Sequence, residues 1–126
     1  MIFIFGGAYQ GKLAYALDRF GLADDDVYFC VEEDAAMPAN KKIFYEIEKW
    51  ILALIRADAD VADWLRRFIA ANADAIVICT DISCGVVPVD PEKRRWREAV
   101  GRSMAELSRC SKEVTRLFCG MPTRIK

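Results

Sequence analysis

The chain has 126 residues, 54% of them hydrophobic and 29% charged, which is material for one domain of ordinary size whose core needs neither metal nor disulfide. That balance excludes a disordered or collagen-like chain, and charges interrupt every apolar run before the ~18–20 residues of a membrane span. A formal net charge of −1 offers no general attraction to nucleic acid or to an anionic membrane.

The opening segment lacks the basic start and small-residue cleavage site of a signal peptide, so a soluble cytoplasmic protein is expected, with no nucleic-acid or membrane partner. There is no histidine, which removes imidazole as base, ligand or nucleophile. The five cysteines form no CxxC pair, which argues against a zinc site or a disulfide framework. Cys30, Cys79 and Cys119 lie in apolar β-like runs and read as small hydrophobes. Cys84, beside Gly85, is the one thiol expected to be exposed.

In chain order, Ile2–Phe5 is a short continuous apolar run, as in a strand buried on both faces. Leu13, Ala16, Leu17 and Phe20 recur at helical spacing, with Gly21 as the stop. Val27–Val31 predicts a second strand, followed by a polar loop over EEDAAMPAN. Ile43, Phe44, Ile47, Trp50, Ile51, Leu54 and Ile55 then keep one face of a predicted helix. Val61, Trp64, Leu65, Phe68 and Ile69 repeat the pattern after a break near Asp58–Asp60. Ala75–Thr80 predicts a third strand, ending at Asp81. Asp90-Pro91 is an N-cap followed by a first-turn proline, and the helix beyond it carries Trp96, Ala99, Val100, Met104 and Leu107 on one face. Val114–Cys119 predicts a fourth strand, after which Gly120 and Pro122 turn into a tail. Trp50, Trp64 and Trp96 read as core residues. Apolar strands separated by helices predict an α/β fold with a mostly parallel sheet, as a single domain over residues 1–126.

The first strand runs directly into Gly6-Gly7-Ala8-Tyr9-Gln10-Gly11-Lys12-Leu13, a GxxxxGK pattern between strand and helix. Glycines let successive N–H groups curl towards phosphate oxygens, the helix N-terminus adds partial positive charge, and Lys12 adds a full one. A tight turn with a solvated lysine is the bland alternative. Leu13 stands where Ser or Thr would hold Mg²⁺, so metal would need other ligands. Asp81, at the end of its strand, is the candidate, with a turn cap as the equal alternative. Lys93, Arg94, Arg95, Arg97 and Arg102 crowd the start of the last helix, where cations oppose the helix dipole. Arg94 and Arg97 are the two expected to face phosphates, and Arg95 and Arg102 read as solvated.

From Thr80 to Lys126 the chain resembles the bifunctional adenosylcobinamide kinase/adenosylcobinamide-phosphate guanylyltransferase family. The matching positions are Asp81, Gly85, Val86, Val87 and Pro88, then Arg94, Trp96, Arg97, Glu98 and Gly101, then Glu113, Val114, Gly120 and Pro122. The family's GGARSGKS is similar to GGAYQGKL here. The resemblance implies a three-layer P-loop (RecA-like) fold of reduced size, ATP or GTP as nucleotide, Mg²⁺, a corrinoid ligand and a homo-oligomer. It also implies roles for Lys12, Asp81 and Arg97 in phosphoryl transfer. Three features depart from the family. A segment between the second strand and Lys42 is missing, and with it the histidine through which guanylyl transfer runs. The family's Asp-Cys-Leu-Thr stretch has Glu32 or Glu33 as its nearest counterpart. Ser103-Met104 replaces Asn-Gln, and Thr80 replaces Asn. A kinase that has lost guanylyl transfer is therefore expected, with a non-catalytic nucleotide- or corrinoid-binding paralogue as the alternative and thiol chemistry at Cys84 as a remote third.

Overall fold

The computed structural model describes residues 1–126 and contains six strands and four α-helices. The strands are β1 (Ile2–Gly6), β2 (Val27–Phe29), β3 (Ile43–Tyr45), β4 (Ile76–Thr80), β5 (Glu113–Phe118) and β6 (Met121–Arg124). The helices are α1 (Lys12–Phe20), α2 (Ile47–Arg56), α3 (Val61–Ala71) and α4 (Pro91–Cys110). One sheet carries them in the order β2-β3-β4-β1-β5-β6. All neighbours are parallel except β5 and β6.

Alternation along β1 sets the layers. Phe3 and Ile4 are both fully buried, on opposite faces, as side chains two-fold about a strand must be. On one face Ile4, Val27, Ile43, Ile76, Ile78 and Leu117 pack under α1. On the other, Phe3, Phe44 and Val77 pack under α2, α3 and α4. This three-layer α/β arrangement is the expected fold class. Trp50 is the centre of the larger core, with Tyr28, Phe44, Trp64 and Phe68 rings at centroid distances of 5.3–5.8 Å. Trp64 is buried as well, and half-buried Trp96 donates Nε1–H to the Glu48 carbonyl at 2.7 Å.

The helix ends follow their local chemistry. Gly21 closes α1, Asp60 caps α3 by accepting from the Asp63 N–H at 3.0 Å, and Asp90 caps α4 ahead of Pro91. Three expectations are corrected. Ile43 and Phe44 are not helical but form β3, because this β-branched and aromatic pair fits between β2 and β4, and α2 starts only after Glu46. The residues after Gly120 are not a tail but β6, an antiparallel edge strand that tolerates Pro122. Cys119 is not a buried strand residue but an exposed turn residue with φ of 50°, and Cys110 is exposed together with Cys84.

Candidate functional site

The carboxyl ends of β1, β4 and β3 bring the candidate groups to one edge of the sheet. β1 delivers Gly6 flush against β5, where an added Cβ would stand 2.4 Å from the Leu117 carbonyl oxygen, so no side chain fits. The Gly6 carbonyl accepts from the Asp81 N–H at 2.9 Å, tying the start of the loop to the end of β4. The chain then turns through Tyr9, fully exposed with φ of 58°, and Gly11, with φ of 81°. Glycine adopts the latter conformation without steric cost. Gly11 is also the N-cap of α1 and brings no side-chain cap, so the first-turn amides are open to an anion.

Lys12 is 4% exposed and donates Nζ–H to the Gly7 carbonyl at 2.7 Å, spanning the loop. It is not a solvated surface lysine. Burial lowers its pKa, against the raising pull of the Glu48, Cys79 and Glu46 sites. Gln10 ties the other flank, its Oε1 accepting from the Cys119 N–H of the β5–β6 turn. Ala8 carries the turn between Gly7 and Tyr9, and its carbonyl accepts from Gln10 Nε2 at 3.4 Å. Leu13 packs into the apolar cluster under α1 and offers no oxygen.

Asp81 lies beside the loop but is occupied in its own turn. Oδ1 accepts from the Ser83 N–H at 2.9 Å and from the Ser83 hydroxyl, and Oδ2 accepts from the Cys84 thiol at 3.5 Å. Burial pushes its carboxyl up, yet these bonds and the Arg116 charge outweigh it and leave the pKa below the usual carboxylate range. The turn reading of Asp81 accounts for both of its oxygens, which close the turn after β4. Cys84 serves in that turn as a donor.

Arg97 is committed elsewhere. Its guanidinium donates to the carbonyls of Ser83, Gly85 (3.0 Å) and Val86 (2.9 Å), so it holds the loop after β4. Arg94 is exposed and lines a cavity of about 520 Å³ with Ser83, Val87, Arg97 and Glu98, and no residue of the 6–13 loop borders it.

Glu32 and Glu33, expected as the nearest counterpart of the family's acidic stretch, lie at the margin of the sheet. Those residues follow the edge strand β2, and Glu32 pairs with Arg56 at 3.6 Å. Besides Asp81 after β4, a second carboxylate at the end of an inner strand is Glu46, which follows β3, has φ of 65° and accepts from Lys49 Nζ at 2.6 Å. A non-glycine residue held in that conformation is the kind of strain that clusters at functional sites. Two residues on, Glu48 is 4% exposed and its Oε2 accepts from the Thr80 N–H at 3.0 Å, standing in for a strand where β3 has ended. Burial raises the Glu48 pKa. The fully buried Cys79 thiol feels Glu48, Asp81 and Lys12 together, so these charges surround one point of the sheet. The Tyr45-Glu46 step, an acid ending a short apolar run, was the available signal for Glu46; nothing in the sequence pointed to Glu48.

No group of three or more Cys, Asp or Glu side chains is arranged to hold a metal, Leu13 has no oxygen, and both Asp81 oxygens already accept hydrogen bonds. The residues present do not fit a protein-held ion.

A six-stranded, mostly parallel sheet with helices on both faces, and a glycine loop carrying a buried lysine at the end of an inner strand, define a small P-loop-like α/β domain. Residues 34–125 match the family described as cobinamide kinase / cobinamide phosphate guanyltransferase, and the chain belongs to that family. The match begins after the glycine loop, so the reading of residues 6–13 stands on motif and geometry. Comparison with curated proteins gives no match.

Proposed function

We propose that this chain binds ATP or GTP through Gly6–Leu13 and acts as a kinase on a cobinamide-type corrinoid, without the guanylyl transfer of its family. One observation carries the reading: Lys12 is buried, bridged to the Gly7 carbonyl, beside uncapped amides at the start of α1. An ammonium withdrawn from water is stabilised by a phosphate that replaces that carbonyl, and phosphoryl transfer depends mostly on such positioning and charge neutralisation. Lys12 and the loop amides hold the phosphates, and Arg97 keeps the loop after β4 in place. Magnesium would enter with the triphosphate, bound by phosphate oxygens and water. Guanylyl transfer through a histidine has no residue to run on, since the chain has none. A homo-oligomer belongs to the same proposal by family resemblance.

The test is direct. Purified protein with ATP or GTP, Mg²⁺ and adenosylcobinamide should yield phosphorylated corrinoid, with no guanylylated product. Nucleotide should raise the melting temperature of the wild type, and Lys12→Ala should abolish that shift. A melting temperature indifferent to ATP, GTP and GDP overturns the proposal. The non-catalytic alternative is favoured by the apolar packing of Leu13 and by the poor metal donor set. Under it nucleotide stabilises the fold and is recovered unhydrolysed.

A further inference from the structure

The turn between β5 and β6 presents aromatic and sulfur side chains to water beside the phosphate loop. Phe118 is 61% and Met121 68% exposed, and large apolar groups left together in solvent mark binding surfaces. Two observations join this surface to the site, and a third concerns the ring itself. The register Gly6↔Leu117 puts Phe118 one residue beyond the point where the loop leaves the sheet. Gln10 of the loop accepts the Cys119 N–H, so loop and turn are tied together. The Arg116 guanidinium lies 5.8 Å from the Phe118 ring centroid, within cation–π range, and steadies a ring that is otherwise mostly in solvent.

Direction comes from charge. A nucleotide whose phosphates lie in the loop can run two ways from β1. Towards β4 and β3 it meets Asp81 and Glu46, surroundings for the polar, reacting end. Towards β5 and β6 it meets Phe118 and Met121, surroundings for a flat aromatic base. Resting on the phosphate-loop reading above, we propose that Phe118, backed by Arg116, is the platform on which the nucleobase stacks. Recognition is then by the face of the base and not by its hydrogen-bonding edge, because every base has a π-face. Adenine and guanine nucleotides are accepted alike.

Calorimetric titration of the full chain with ATP, GTP and inorganic tripolyphosphate separates base from phosphate. ATP and GTP should bind within about threefold of each other. Phe118→Ala should weaken both by at least about fivefold, the low end for loss of one base–aromatic stack, and leave tripolyphosphate unchanged. Phe118→Trp should restore nucleotide binding. Lys12→Ala should weaken all three anions. If Phe118→Ala binds nucleotide like the wild type, or loses tripolyphosphate equally, the platform is wrong and the phosphate loop stands. A preference between ATP and GTP beyond about tenfold overturns face-only recognition. If the wild type binds none of the three, both readings fall. Phe118 is exposed, so its variants should fold, and an unchanged circular dichroism spectrum checks this.

Discussion

Lys12 and Glu48 are each 4% exposed, and burial is the largest cause of the shift in both, lowering the lysine and raising the glutamate. Each is pushed towards its neutral form, as expected for charges removed from water. The sign for Glu48 follows from linkage. Its folded pKa lies above the unfolded value of about 4.3, so the native state holds the proton longer. Its contribution to stability is therefore full below the unfolded pKa and is lost as pH rises through the folded pKa. Glu48→Gln keeps an acceptor for the Thr80 N–H and removes the titration. The melting temperature of the wild type relative to this variant should fall as pH is raised from 4 to 8, measured by thermal melts in matched buffers. A constant difference across that range would show that Glu48 does not titrate with folding.

At the scale of elements, the segment between β4 and α4 leaves Val86, Val87 and Val89 exposed, and beyond the Asp81 turn and Ile82 it is held by Arg97. Arg97→Ala should increase the rate of limited proteolysis within residues 82–89 while the core keeps its circular dichroism spectrum. Arg97→Lys should not rescue it, since one ammonium cannot reproduce a planar fork across three carbonyls. How far elements could be read in advance depended on how local their causes are. β1, the glycine loop and α1 were legible because an apolar run, glycines and a 3.6-residue period are adjacent in the chain. β3 was hidden because Ile43 and Phe44 fall at offsets from Ile47 that also suit a helix. Only the parallel pairing to β2 and β4 decides between the two. β6 was hidden because Met-Pro-Thr-Arg has no alternating apolar pattern, and its partner β5 supplies the reason it is extended.

The molecule as a whole depends on one aromatic nucleus. Trp50 is fully buried among four rings, and its Nε1–H is buried without a partner. Trp50→Ala should lower unfolding free energy in urea by about 3–5 kcal/mol, a large part of the ~5–15 kcal/mol typical of a domain. Trp50→Phe should cost clearly less, because it leaves a smaller void and removes the orphaned donor. If the two variants cost the same, packing around this ring is not the main term. The same scale explains what was illegible in the site. Glu48 meets Thr80 across 32 positions and Gln10 meets Cys119 across 109, and no spacing rule joins residues so far apart. The position of Asp81 is legible because it ends an apolar strand, whereas the carbonyls that Arg97 holds lie 11–14 positions away in an irregular loop with no pattern to announce them.

The sheet is not equally deep across its width. β1 and β4 run for five residues each, and β2 and β3 for three. A taper of this kind gives way from its thin margin first. The chain can therefore breathe at the β2 border, while β1, which leads into the glycine loop, stays clamped between two long neighbours.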